Sequence, residues 1–308
     1  MGFSPRASLL FAAVAVAAGC GGPGARPENP RAGAARCGGE PIFAAGADRA
    51  TLWVRNSSEF RAASETVYRS AGFALTRGLA ESAWTAEPTQ TGDLAGLPPA
   101  IVMDIDETVL DNSEPQAAML RAGTCFDDFP KAWDDWIAER RAPAVPGAAE
   151  FIRFAREARD GQGRSVRIFF ITNRECAPRP GNDAACPQQD DTLANLEALG
   201  LGSATLAEDL MLKGELPEWD GEKLARRQAL ARTHRIVLNI GDDLADFLPG
   251  VRRADVAGRD RERCARQGEW GERWFVVPNP MYGSWLVALG PELDAALAAK
   301  PQVLPACP

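Results

Sequence analysis

The chain has 308 residues, 45% of them hydrophobic and 25% charged, a composition suited to one large α/β domain or two small ones. Its 34 Lys and Arg against 42 Asp and Glu give a formal net charge of −8, a poor match for a nucleic-acid polymer. The only histidine, His234, excludes a His-rich zinc site and any mechanism that needs two histidines.

Residues 1–20 read as a lipoprotein signal peptide. Arg6 supplies the positive start, and Leu9 to Ala18 is an apolar run too short to span a bilayer. Ala17-Ala18-Gly19 ahead of Cys20 is similar to a bacterial lipobox and makes Cys20 the expected lipidation site. Gly21 in place of Asp points to the outer membrane, with a soluble periplasmic or secreted protein as the alternative. Residues 21–48, rich in Gly, Pro, Ala and Arg, read as a flexible linker. Over 49–99, apolar residues at helical spacing, including Trp53, Phe60, Tyr68, Leu75 and Leu79, predict one or two helices, and Ser57-Ser58-Glu59 can cap one start. A loop follows over 86–98.

The main domain is expected over 100–290. Ala100 to Ile105 is short, apolar and β-branched, the pattern of a buried strand. Asp104 lies inside that run and Asp106 closes it. Two carboxylates at one strand end repel unless a cation or a proton intervenes, and hard oxygen ligands of this kind suit Mg²⁺. An aspartate there can also attack phosphorus.

The insertion 112–165 separates this strand from the next. Within it, Phe126 to Arg140 predicts a helix with Trp133 and Trp136 at i, i+3, and Val145-Pro146-Gly147 opens an amphipathic helix ending near Gly161. Val166 to Thr172 is a second strand, with Thr172-Asn173-Arg174 at its carboxyl end. A hydroxyl and an amide there can bind a phosphoryl oxygen.

Helices are then predicted over Thr192–Leu199 and Trp219–Arg232, with a short apolar run at Asp209–Lys213 between them. His234 is read as a surface residue between helix and strand. Arg235 to Ile240 is a buried strand ending in Gly241-Asp242-Asp243, with Asp246 four residues beyond Asp242. Trp274 to Val277 is a last strand, leading into Pro278-Asn279-Pro280-Met281-Tyr282 and a tail over 291–308.

Of seven cysteines, none forms a Cys-x-x-Cys pair. Setting Cys20 aside leaves six, which fits disulfides in an oxidising compartment. Nearness in sequence predicts Cys176–Cys186. Nearness of chain ends predicts Cys37–Cys307, which leaves Cys125–Cys264.

Asp104-Ile-Asp106-Glu-Thr108 resembles the first motif of the haloacid dehalogenase-like (HAD) phosphohydrolases. The longer string through Asn112-Ser113 resembles the class C acid phosphatases, the lipoprotein e(P4) or 5'-nucleotidase family. Thr172-Asn173-Arg174 is similar to the second motif, and Gly241-Asp242 with Asp246 to the fourth. Lys223, nineteen residues before Asp242, matches the family's Lys-x-x-Arg, with Lys213 as competitor. Asp243 departs from the usual Asn and leaves open which carboxylate meets the metal.

The resemblance implies a mostly parallel Rossmann-like sheet with helices on both faces. A helical cap is expected from the N-terminal helices and the insertion. It also implies a Mg²⁺-dependent phosphomonoesterase. Asp104 is then the nucleophile, Asp106 the acid–base, Thr172 and Lys223 the phosphoryl binders. Asp104, the Asp106 carbonyl and Asp242 are the metal ligands, with Asp243 and Asp246 in support. Asn173, Arg174, Trp133 and Tyr282 are expected to touch substrate, the two rings sandwiching a nucleoside monophosphate or aryl phosphate. The expected partners are small phosphomonoesters and a membrane reached through the lipid anchor; a homodimer is left open. A phosphotransferase and a non-catalytic surface protein are the alternatives, and the second requires a broken motif, which this chain does not have.

Overall fold

In the computed structural model, residues 47–124, 128–290, 293–298 and 307 are described. The signal peptide, most of the linker, Cys20, Cys37 and Cys125 lie outside them. The N-terminal segment forms two helices, α1 (Ala47–Asn56) and α2 (Ser58–Ala80), divided where the Ser57 side chain accepts the Phe60 N–H at 3.0 Å and caps α2.

Among the described residues, five strands form one parallel sheet. They are β1 (Pro99–Met103), β2 (Arg167–Glu175), β3 (Leu210–Lys213), β4 (Arg235–Gly241) and β5 (Trp274–Val276). Their order is β3-β2-β1-β4-β5, so β1 is central and the order reverses around it. Ligands of such sheets bind beyond the carboxyl ends of the strands at that reversal. Here that edge carries the residues following β1, the end of β2 and the residues following β4.

The near-continuous apolar strands follow from burial on both faces. Ile101, Met103, Ile168 and Phe170 point to one side, beneath α2 and the helix α5 (Ala148–Glu157). Ala100, Val102, Phe169, Ile171 and Ile236 point to the other, beneath Leu230, Phe247 and Trp274. Arg235 is a charged residue inside this core. Its Nη1 donates to the carbonyls of Gly78, Glu81 and Trp84 at 2.8–3.0 Å, so a buried guanidinium satisfies the open end of α2.

The insertion after β1 holds α3 (Ser113–Ala122), α4 (Phe129–Glu139) and α5. Further on, α6 (Pro187–Ala198) and the four-residue α7 (Leu206–Asp209) precede β3, and α8 (Leu224–Ala231) precedes β4. The helix expected over Trp219–Arg232 is therefore shorter: Gly221 interrupts its start, and Lys223 is its N-cap. The apolar run at 209–213 proves to be an edge strand. His234 is half-buried, its ring edge-on to Phe169 at 4.9 Å. The chain closes with α9 (Val256–Ala265), β5, α10 (Ser284–Val287) and α11 (Leu293–Ala298).

Cys176 pairs with Cys186, as their spacing predicts. The other expectation is corrected: Cys264 at the end of α9 bonds Cys307, which rules out both Cys37–Cys307 and Cys125–Cys264. The tail returns to α9, a tertiary contact that chain-end proximity does not encode.

Candidate active site

The turn leaving β1 builds one wall. The Ile105 carbonyl accepts the N–H groups of Thr108, Val109 and Leu110, and Glu107 takes a left-handed φ of 60° to close the turn. This aims Asp104 and Asp106 past the sheet edge. Thr108 is fully buried, and its hydroxyl donates to Asp242 Oδ1 at 3.2 Å, tying the first turn to the one after β4.

At that second turn Asp246 folds back onto the chain. Its Oδ2 accepts the N–H groups of Asp242 and Asp243 at 3.1 and 2.9 Å. A Cβ on Gly241 would lie 2.3 Å from that oxygen, so the turn requires glycine there. Asp242 is held by Thr108 and by the Asn279 amide at 2.8 Å.

Oxygens of Asp104, Asp242 and Asp246 lie within 4.8 Å of one another. Lys223 enters this cluster from the N-cap of α8. Its Nζ is hydrogen-bonded to Asp104 Oδ1 and reaches Asp246 Oδ1 at 2.7 Å. Burial works against the Lys223 ammonium, but the two carboxylates outweigh it and raise its pKa. Burial raises Asp104 to about 6 despite Lys223, and burial with repulsion from Asp246 and Asp104 raises Asp242 well above its ordinary value. Three converging carboxylates with one ammonium leave an excess of negative charge, and their hard oxygens fit a divalent cation. Lys213 is a half-exposed partner of Glu175 at 3.3 Å, remote in role from this cluster.

Asp106 is held apart from the cluster. Arg174 Nη2 donates to its Oδ1 at 2.7 Å, Arg174 Nε bridges both oxygens at 3.1 and 3.2 Å, and the Thr172 hydroxyl lies 3.4 Å from Oδ2. Arg174 is only 2% exposed, with Nη1 on Thr192 at 2.9 Å. It braces Asp106. Asn173 is likewise committed: its amide donates to the Gly221 carbonyl and its oxygen accepts Arg226 Nη2, which braces the loop carrying Lys223.

Asp243, the departure from the family pattern, points elsewhere. Its side chain accepts the Ser284 N–H and hydroxyl at 2.5 Å each and caps the short 3₁₀ turn at Leu244–Asp246. Burial works against its ionisation, yet the Ser284 contacts hold its pKa below the usual carboxylate range. Asp242, not Asp243, therefore stands in the carboxylate cluster. Trp133 and Tyr282 are half-buried against the apolar cluster that includes Ile101 and Met103 of β1. Trp133 stacks on Phe129 at 6.0 Å, and the buried Tyr282 hydroxyl has no hydrogen-bond partner among the described residues.

The sequence reading gives Asn112, Trp136 and Arg226 no place in the site. Only the Lys-x-x-Arg spacing pointed toward Arg226, which is fully buried and donates to the Thr172 carbonyl at 2.6 Å.

Comparison with known proteins agrees with this geometry. Residues 52–285 match the family model for HAD superfamily, subfamily IIIB (acid phosphatase). The class C acid phosphatase of Bacillus anthracis is 31% identical, with a TM-score of 0.63 over 81% of this chain and 92% of its own. The tungstate-bound structure of that enzyme is 32% identical over the same shares, also with a TM-score of 0.63. The chain belongs to the subfamily IIIB acid phosphatases of the HAD superfamily and is a phosphoric monoester hydrolase.

Proposed function

We propose that this protein is a Mg²⁺-dependent, lipid-anchored acid phosphatase that acts through an aspartyl-phosphate on Asp104. The observation that carries this reading is the convergence of Asp104, Lys223, Asp242 and Asp246 beside a separately braced Asp106. Asp104 and Asp242, with the Asp106 carbonyl, would hold Mg²⁺, which when bound offsets the charge of the carboxylates and of the phosphate oxygens. Thr172 and Lys223 donate to the transferring phosphoryl group, whose charge spreads over its equatorial oxygens.

An Asp104 oxygen forms a bond to phosphorus as the bond to the leaving oxygen breaks. That oxygen takes the electron pair, and a proton from Asp106. Water then attacks the same phosphorus, gives its proton to Asp106, and displaces the Asp104 oxygen to release phosphate. A screen over nucleotides, sugar phosphates and phosphotyrosine, with Mg²⁺ or a chelator, tests the reading. Turnover that survives complete chelation counts against it.

The proposed substrates are nucleoside monophosphates and aryl phosphates, with Trp133 and Tyr282 stacking the ring. Stacking of this kind contributes about 1–3 kcal/mol per base. Trp133→Ala or Tyr282→Ala should raise KM for a nucleotide about tenfold, about 1.4 kcal/mol, and leave glycerol phosphate nearly unchanged. Equal losses on both substrates with a lowered Tm would assign the rings to packing alone.

For location, no helix among the described residues is long and apolar enough to cross a membrane. The lipid on Cys20 is the proposed anchor, in the outer membrane. Cys20→Ser should move the protein from the membrane fraction to the soluble fraction; retention in membranes would place the anchor elsewhere.

A further inference from the structure

We infer that Asn112, oriented by the Trp136 indole, is a positioning residue that sets the Asp106 carboxylate for proton transfer. This rests on the acid–base role proposed for Asp106. Asn112 occupies the N-cap of α3, where an asparagine side chain ordinarily accepts a backbone N–H of the first helical turn. It makes no such bond here. Its amide turns inward instead, fully buried, and donates to Asp106 Oδ1 at 3.0 Å and Glu107 Oε2 at 3.2 Å. The backbone N–H of Asn112 donates to the other Glu107 oxygen at 2.8 Å.

An amide could present either its oxygen or its nitrogen to a carboxylate site, and the wrong face would repel. Trp136 removes that choice. Its indole N–H, a donor only, meets Asn112 Oδ1 at 2.8 Å, so the NH₂ group must face Asp106 and Glu107. Trp136 is itself 4% exposed. Asp106 Oδ1 thus has two fixed donors, Asn112 on the side of the insertion and Arg174 on the side of β2. Neither donor can move without turning the carboxylate.

The same helix, α4, carries Trp133 one turn before Trp136. The intervening Asp134 is gripped by Arg179 from the loop closed by Cys176–Cys186, at 2.6 and 2.9 Å. A shift of α4 at the organic end of the substrate would therefore reach Asp106 through two hydrogen bonds. This links recognition of the leaving group to its protonation.

Leaving-group dependence tests the idea, because a general acid matters most when the departing oxygen is strongly basic. The readout is kcat/KM, which covers steps through release of the alcohol. Trp136→Phe keeps an aromatic ring and removes the donor, along with part of the buried volume, a loss its Tm reports. With divalent cation supplied, it should lower kcat/KM for glycerol phosphate roughly 30-fold and for p-nitrophenyl phosphate no more than about 3-fold, part of the 10²–10⁴-fold a general acid supplies. Asn112→Ala should act in the same sense and more strongly, and its Tm reports any loss of fold. Asp106→Asn is the reference and should show the widest separation between the two substrates. Trp136→Phe and Asn112→Ala that leave both substrates unaffected, or reduce both by one common factor, would overturn the positioning role while Asp106→Asn still discriminates. If Asp106→Asn also fails to discriminate, the acid–base reading is wrong and this inference falls with it.

Discussion

Asp104→Asn should reduce turnover at least ~10³-fold, equivalent to roughly 4 kcal/mol of barrier. The substitution nearly conserves shape. An amide oxygen can still accept the Lys223 ammonium, and the residue sits at the end of a strand buried along its whole length. The nucleophilic carboxylate and one of the three clustered charges are lost. The expected protein is therefore folded, with a Tm near that of the parent, and chemically inert at saturating divalent cation. No acid-stable phosphoenzyme reducible by borohydride should form. Near-parental turnover in a clean preparation would end the aspartyl-phosphate proposal.

Lys223→Met should be the most damaging change for stability and should lower activity as well. The ammonium lies 5% exposed between Asp104 and Asp246. Removing one partner of a buried ion pair leaves uncompensated charge and costs about 3–5 kcal/mol. In a domain of this size that corresponds to a fall in Tm on the order of 10 °C. Phosphoryl binding is lost as well, so kcat/KM should fall by at least ~10²-fold, the scale of one removed electrostatic donor. Lys213→Met is the control. Its surface pair with Glu175 should contribute no more than about 1 kcal/mol, with activity retained. If the two variants behaved alike, Lys223 would not be the lysine that balances the cluster.

The strands were legible because burial on both faces demands short runs of Ile, Val, Leu and Phe, as in Ile101-Val102-Met103 and Ile168-Phe169-Phe170-Ile171. The carboxylates were legible for the opposite reason: Asp104 and Asp242 interrupt or end runs where charge is costly. Contacts that depend on two distant segments were not legible. Asn173 and Arg174 sit at a ligand-binding edge, but their side chains are taken up by Arg226, Gly221, Asp106 and Thr192. Asn112 entered only as part of the string through Asn112-Ser113, and its meeting with Trp136, 24 residues away, is what sets it apart. The α8 start lies five residues beyond Trp219, because Asp220-Gly221-Glu222-Lys223 offers no apolar face to pack and runs as loop. The partner of Cys264 could not be read from spacing, since it depends on where the tail returns.

The Cys264–Cys307 crosslink acts on the unfolded chain as well as the folded one. A closure spanning 43 residues removes conformations from the denatured ensemble worth about 4 kcal/mol on the chain-entropy account. The closed loop contains β5, a three-residue edge strand, together with Asn279 and Ser284, the residues that hold Asp242 and Asp243. An edge of so few hydrogen bonds is the part of a sheet most prone to fray. Tethering its far end to α9 restricts how far the strand can stray before it redocks. The thiol state at the tail thereby helps decide how often the Asp242 side of the site comes apart.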